Sequence, residues 1–165
     1  MLPVSADWLQ FDERGVHMKT KAANEMTLEF PSRSSNEGFA RSAVACFAAQ
    51  MDPTLNELED IKTAVSEAVT NAIVHAYPDS IGKVSLKLKI SSENGLEVTV
   101  KDCGKGIQNV EQARTPLFTT GGEDRSGMGF TIMESFMDHL TVRSVPGRGT
   151  IVTMKKKLSR RAKGR

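Results

Sequence analysis

The sequence predicts an α+β fold, a two-layer sandwich in which helices cover one face of a mixed, mostly antiparallel sheet. Alternating apolar positions mark strands at Met26, Leu28 and Phe30 and in four later segments. Longer stretches with helical periodicity lie between them. The resulting order, β-α-α-β-β-loop-α-β-β, is typical of helices layered on one face of a single sheet.

The first helix is expected to follow a Ser-x-x-Glu capping box formed by Ser34 and Glu37. Arg41 lies about 200° around the helix from Phe39, at about 100° per residue, and is predicted to face away from the core. The predicted apolar face of this helix comprises Phe39, Ala43, Val44, Phe47, Ala48 and Met51.

The second helix is predicted to begin at another capping box, 54-TLNE-57, and to run to about Tyr77. Glu67 and Asn71 lie beside the edge of its apolar stripe, and His75 lies nearer to the stripe. A carboxylate in a cleft can act as a general base, and an amide oxygen can bind Mg²⁺. Taken alone, the helix fits better as an ordinary surface helix. The predicted stripe comprises Leu58, Ile61, Val65, Ala68, Val69 and Ala72.

The second half of the chain contains two predicted hairpins. Residues 84–90 and 96–101 alternate in polarity around the turn SSENG, and residues 141–145 and 150–156 do so around PGRG. Residues 102–126 are expected to form a long loop because they are rich in glycine and polar residues. A third helix is predicted over 128-MGFTIMESFMDHL-140.

The segment 102-DCGKG-106 directly follows a predicted strand. Gly104 and Gly106 allow either a tight turn or a close approach of the backbone to a ligand. Asp102 offers an acceptor for an amine, and Thr150, which opens the last strand, offers a hydroxyl to a base edge. Each signal is weak by itself.

The segment 125-RSGMGF-130 leads directly into the third helix. Free N–H groups and the dipole at a helix N-terminus attract anions, and Gly127 and Gly129 leave the backbone accessible. Arg125 adds a forked cation that suits phosphate. An ordinary helix start beside a loop arginine explains the segment equally well when it is considered alone.

Composition narrows the function classes. The chain is 39% hydrophobic and 25% charged, its longest apolar run is residues 43–49, and it lacks a secretory signal pattern. A membrane-spanning helix needs about 20 apolar residues, so no membrane span is expected. Cys46 and Cys103 are far apart without metal-ligand spacing, which favours a reducing, cytoplasmic location.

Charge is unevenly distributed along the chain. Residues 155–165 hold seven basic residues and no acidic one, which leaves a net charge of −5 on residues 1–154. The acidic body argues against direct DNA binding. We expect residues 1–20 to be a disordered extension, residues 21–157 to form the folded domain, and residues 158–165 to be a solvated basic tail.

In combination and order, these motifs resemble the ATP-binding domain of the GHKL superfamily, which has the Bergerat fold. The segments SEAVTNAIVHAY, EQARTPLFTT, RSGMGFTIMESFMD and FPSRSSNEGFAR are similar to the sporulation anti-sigma factors of that superfamily. These proteins are serine kinases that hold an early sporulation sigma factor inactive. The resemblance covers about residues 24–157.

The resemblance implies roles for the residues of the first two motifs. Glu67 would be the catalytic base that accepts the proton of the attacking serine hydroxyl, and Asn71 would bind the Mg²⁺ that bridges the phosphates of ATP. Asp102 would bind the adenine amine with help from Thr150. Two glycines of the following loop would admit the nucleotide; they are Gly104 and Gly106.

The resemblance also implies a lid and a partner surface. Residues 107–126 would form the ATP lid, and Arg125, Gly127 and Gly129 would close on the phosphates. Arg41 matches an arginine that contacts the protein partners, which would be a sporulation sigma factor and an anti-anti-sigma factor phosphorylated on serine. A homodimer would form near residues 25–45.

Of three other interpretations of the motifs, two are compatible with the sequence. The chain could be a related anti-sigma kinase that controls a stress sigma factor, or a binding module that holds ATP without catalysis. A histidine kinase core is less consistent, because His17, His75 and His139 do not lie on a separate dimerisation helix.

Overall fold

The computed structural model describes residues 9–11, 17–19, 22–115 and 128–159. The helices are α1 (Ser35–Ala48), α2 (Leu55–Val74), α3 (Val110–Ala113) and α4 (Gly129–Phe136), with a 3₁₀ turn at Ala49–Met51. The strands are β1 (Leu9–Phe11), β2 (His17–Lys19), β3 (Ala22–Pro31), β4 (Lys83–Ser91), β5 (Gly95–Asp102), β6 (His139–Val145) and β7 (Gly149–Lys157).

The main sheet has five strands in the order β3-β4-β5-β7-β6. The predicted α+β sandwich is confirmed, but the expected mixed character is not, because every pairing between described strands is antiparallel. β5 and β7 are neighbours, with Lys101 opposite Ile151. Asp102 and Thr150 therefore lie side by side at one end of the sheet, although they are far apart in sequence.

The core lies between the helices and one face of the sheet. The predicted apolar stripe of α2 is confirmed from Ile61 to Ala72, and Leu58 packs against its edge. The buried sheet face alternates with a polar face, as expected for strands that are covered on one side. Its buried positions in β4 and β5 are Val84, Leu86, Leu88, Ile90, Leu96, Val98 and Val100.

Only the second predicted capping box is formed. The Thr54 side chain accepts a hydrogen bond from the Glu57 N–H, and the Glu57 carboxylate accepts one from the Thr54 N–H. Burial raises the pKa of Glu57, but hydrogen bonds from Ser159 and Thr54 outweigh it and lower the pKa to about 2. The start of α2 is thereby tied to the end of β7.

The prediction for α1 was wrong in two respects. Ser34 has helical backbone angles and makes no capping bond, and Glu37 instead accepts a hydrogen bond from the Ser66 hydroxyl at 2.6 Å. Phe39 is 65% exposed, because the buried face is centred on Ala40 and Val44 rather than on Phe39. Arg41 does reach the surface, as predicted, with 42% of its side chain exposed.

The third predicted helix was too long, and the predicted loop contains a short helix. α4 ends at Phe136, and β6 begins at His139, because the Asp138 N–H bonds to the Lys155 carbonyl and starts the pairing with β7. Apolar spacing that suited a helix is overridden there by sheet pairing. In the predicted loop, Asn109 caps α3 by accepting a hydrogen bond from the Gln112 N–H at 2.9 Å.

The chain ends are described only in part. β1 and β2 pair antiparallel within the predicted N-terminal extension, and the rest of residues 1–20 lies outside the described residues, as does most of the basic tail. The predicted domain limits therefore stay predictions. Among the described helices, none combines the length and apolar character needed to cross a membrane.

Candidate functional site

A cavity of about 820 Å³ lies between α2, α3, the start of α4 and the ends of β5 and β7. Its volume is within the range of pockets that bind small molecules and cofactors, about 300–1,000 Å³. The cavity brings together six of the residues predicted from the sequence: Glu67, Asn71, Asp102, Gly106, Gly129 and Thr150.

Asp102 is buried at the end of β5, and its orientation is fixed by two backbone donors. Its Oδ1 atom accepts hydrogen bonds from the Gly104 N–H at 3.0 Å and from the Thr150 N–H at 3.1 Å. Burial raises the pKa of Asp102, although both N–H groups act to lower it. Within the described part of the chain, Oδ2 is left for a ligand.

Gly104 and Gly106 let the loop after β5 pack closely against two other segments. A Cβ atom at Gly104 would overlap the carbonyl of Ala76, and one at Gly106, where φ is +71°, would overlap the carbonyl of Val145. Gly106 lines the cavity. The positive φ of Gly106 agrees with the tight turn allowed by the sequence, the close packing of both glycines against protein carbonyls is an additional structural reason, and their role toward a ligand stays a prediction.

Sequence reasoning missed Ser144, which lies opposite Thr150 across the β6–β7 pair. The two side-chain oxygens are 2.8 Å apart, and the Ser144 hydroxyl also bonds to the Gly149 carbonyl and the Ile107 N–H. A signal was available. Strand alternation places Ser144 on the same inward face as Leu140 and Val142, where a polar residue is unexpected.

Tyr77 was also missed as a site-supporting residue. Its hydroxyl donates to the Lys83 carbonyl at 2.7 Å and accepts from the Cys103 N–H at 2.8 Å. Its ring occupies the space that a side chain at residue 82 would take, which explains the glycine there. Tyr77 therefore ties the segment that follows α2 to the end of β5 that carries Asp102.

Glu67 and Asn71 face the first turn of α4. A Cβ atom placed on Gly129 would lie 3.1 Å from Glu67 Oε2 and 3.2 Å from Asn71 Nδ2. α4 has no side-chain cap at Met128, so the first N–H groups of this helix have no side-chain acceptor among the described residues. Glu67, Asn71 and the start of α4 therefore lie together, and the roles predicted for them stay predictions.

The surroundings of Glu67 are acidic. Burial, and secondarily the charge of Glu37, raise the pKa of Glu67. Glu37 itself bonds to the Ser66 hydroxyl and lies 3.7 Å from the Arg41 guanidinium. The arginine predicted to contact partners is thus linked through Glu37 to the helix that carries Glu67.

Two predicted site residues, Arg125 and Gly127, lie outside the described residues, as does the predicted lid from residue 116 to residue 126. The described start of that segment is held in place, because Arg114 at the end of α3 forms an ion pair with Glu134 of α4. His75, which was predicted to lie nearer to the apolar stripe of α2, is the residue at the C-terminal cap of that helix and lines the cavity.

Residues 30–156 match the family of histidine kinase-like ATPase domains. An anti-sigma F factor from Caldanaerobacter subterraneus is 56% identical over 138 residues, which cover 83% of this chain and 96% of the relative. The chain belongs to the anti-sigma F factor family. Another member, from Clostridium perfringens, is 55% identical over 137 residues, which cover 82% of this chain and 98% of that protein.

The fold of this anti-sigma F family member is also found in solved structures. The RsbU and RsbW domains of a Mycobacterium tuberculosis protein align with a TM-score of 0.63 and 18% identity, over 85% of this chain and 34% of that one. At this identity the likeness concerns the fold alone. The resemblance stated from the motifs is thereby confirmed at the level of family and fold.

The cavity fits a nucleotide and a hard cation. Asn71 and Glu67 offer oxygen atoms, which Mg²⁺ prefers, and no cluster of three His, Cys, Asp or Glu residues forms a metal cage in the described ranges. Mg²⁺ is commonly held by one or two protein oxygens together with substrate phosphates. The absence of a side chain at Gly129 keeps this space open.

Proposed function

We propose that this anti-sigma F family member is a cytoplasmic, homodimeric protein-serine kinase that uses ATP and also sequesters a sporulation sigma factor. The supporting observation is the convergence of Glu67, Asn71 and Gly129 at one end of a cavity whose other end holds Asp102 and Thr150. A carboxylate beside an uncapped helix start suits transfer of a phosphoryl group to a hydroxyl.

Each described residue has a specific role in the proposed reaction. Asp102 Oδ2 accepts a hydrogen bond from the adenine 6-amino group, because Oδ1 is already occupied by two backbone donors. The N–H groups at the start of α4 bind the phosphates. Glu67 orients the substrate serine hydroxyl and accepts its proton. Asn71 would hold Mg²⁺, which neutralises phosphate charge when bound.

The raised pKa of Glu67 is consistent with a general base. A carboxylate with a very low pKa is a poor proton acceptor, whereas burial and the Glu37 charge increase its basicity. The substrate would be a serine on a small anti-anti-sigma protein, and the product phosphoserine would weaken rebinding by charge repulsion and desolvation.

Intact-protein mass spectrometry tests this proposal directly. The protein is mixed with MgATP and a candidate anti-anti-sigma protein, and the partner should gain the mass of one phosphoryl group on a serine. Acid-labile phosphate on the protein itself would instead indicate a histidine kinase. Binding of ATP without transfer would indicate a non-catalytic module.

The anti-sigma role depends on the partner surface around Arg41. Arg41→Ala should weaken binding of the sigma factor and of the anti-anti-sigma protein while leaving the affinity for ATP unchanged, because this side chain is exposed outside the cavity. Equal loss of both kinds of binding would indicate misfolding. Preferential capture of a stress sigma factor in a pull-down would reassign the partner.

A further inference from the structure

Ser144 makes three hydrogen bonds through a single hydroxyl group. Its oxygen lies 3.0 Å from the Gly149 carbonyl oxygen, 2.7 Å from the Ile107 nitrogen and 2.8 Å from Thr150 Oγ1. The carbonyl can only accept and the backbone N–H can only donate. The direction of two of the three bonds is therefore fixed by chemistry.

The direction of the third bond follows from counting protons. A serine hydroxyl has one proton and two lone pairs. The proton goes to Gly149 and one lone pair accepts the Ile107 N–H, so the remaining lone pair accepts the proton of Thr150. Ser144 is then fully bonded, and Thr150 Oγ1 presents only lone pairs to the cavity.

Thr150 lies directly beside Asp102, since its own N–H bonds to Asp102 Oδ1. On these two side chains, the atoms left for a ligand are Asp102 Oδ2 and Thr150 Oγ1. An ionised carboxylate and a hydroxyl whose proton is already committed both act as acceptors. A ligand group placed against them must bring N–H donors.

We propose that Ser144 is a specificity-determining residue, which commits the Thr150 proton and so makes this end of the cavity select a purine with a 6-amino group over one with a 6-oxo group. This inference rests on the proposed function, in which the cavity binds a purine nucleotide. Ser144 has no contact with the ligand and acts through Thr150.

The expected selectivity follows from the cost of an unpaired acceptor. A 6-oxo group would place a third acceptor against two others without a proton between them. Leaving buried acceptors unpaired in this way should weaken binding about 10- to 100-fold. Without Ser144, the Thr150 hydroxyl can rotate and donate to the 6-oxo group.

The experiment compares the dissociation constants of ADP and IDP, measured by calorimetry with Mg²⁺ for the wild-type protein, Ser144→Ala and Ser144→Thr. The wild type should prefer ADP, and Ser144→Ala should reduce that preference about tenfold, the effect of one hydrogen bond. Ser144→Thr retains a hydroxyl and should retain the preference. Loss of packing alone would weaken the binding of ADP and IDP equally.

Thr150→Val provides a second test if Ser144→Ala does not fold. It removes the acceptor while leaving the Ser144 bonds to Gly149 and Ile107 available, and it should also reduce the preference for ADP. An unchanged ADP-to-IDP ratio in either folded variant would overturn the inference alone. Failure of the wild-type protein to bind ADP would overturn the proposed function as well.

Discussion

The two ends of the cavity are built in different ways. At the sheet end, formed by Asp102, Thr150 and Ser144, strand register and backbone donors fix nearly every polar atom. At the helix end, formed by Glu67, Asn71 and Gly129, no hydrogen bond between described residues holds the two polar side chains. We infer that recognition is pre-organised at the sheet end, whereas the helix end is completed when ligand binds.

Glu67→Gln should have the largest effect and should act on the helix end alone. Loss of a general base lowers the rate about 100- to 10,000-fold, so phosphotransfer to the anti-anti-sigma protein should nearly disappear while the affinity for ATP is retained. Rates are measured with radiolabelled ATP. Glu59→Gln, an exposed position on the same helix, is the matched control. Phosphotransfer by Glu67→Gln at the wild-type rate would disprove the assignment of Glu67 as the catalytic base.

Asp102→Asn should affect the sheet end of the cavity without unfolding the protein. An amide oxygen can still accept from Gly104 and Thr150, but the Oδ2 acceptor becomes an N–H donor that faces the adenine amine. ADP affinity measured by calorimetry should fall about 10- to 100-fold, because a buried donor is left unpaired. Asp79→Asn, on an exposed loop, should bind ADP normally. If Asp102→Asn also binds ADP normally, the adenine base does not contact this residue.

Gly129→Ala should have a smaller effect. The new methyl group would lie 3.1 Å from Glu67 and 3.2 Å from Asn71, so both side chains would have to shift by a fraction of an ångström. We expect phosphotransfer to fall about tenfold, because a misplacement of about 1 Å typically costs about 100-fold. Gly38→Ala, where the added Cβ would meet the Arg41 guanidinium on α1 at an ordinary contact distance of 4.0 Å, should leave nucleotide binding unchanged. Equal rates for Gly129→Ala and wild type would remove α4 from the chemistry.

The smallest expected effect is a shift in pH dependence. Glu67 must be ionised to accept a proton, and burial, followed by the charge of Glu37, raises its pKa, so the acid limb of the rate profile lies above that of an ordinary glutamate. Glu37→Gln removes this charge, lowers the pKa of Glu67 and should move the acid limb to lower pH. Rates are measured across the acid range for both proteins. An acid limb that stays at the same pH in Glu37→Gln would show that Glu37 does not influence the pKa of Glu67.

The helix end was more predictable from the sequence than the sheet end. Glu67 and Asn71 belong to one helix, so their shared face follows from helical spacing. The pairing of Asp102 with Thr150 depends on β5 and β7 being neighbours, which the order of segments does not reveal. Ser144 needed that register as well, and only its inward position on β6 hinted at a role.

Two of the errors in the fold predictions share one cause, which is competition from tertiary contacts. The Ser34–Glu37 capping box satisfied the local pattern, but Glu37 bonds to Ser66 of α2 instead. The apolar spacing after Phe136 suited a helix, yet pairing with β7 extends the chain there. The Thr54–Glu57 box did form. Its two residues bond to each other, and the Ser159 N–H also bonds to the Glu57 carboxylate.

A crystal structure with Mg²⁺ and a non-hydrolysable ATP analogue tests the central claim most directly, since that claim assigns one task to each end of the cavity. We expect the adenine 6-amino group to lie within hydrogen-bond distance of Asp102 Oδ2, with the terminal phosphate at the start of α4 and the metal on Asn71. A nucleotide bound in the opposite orientation, or outside the cavity, would contradict it.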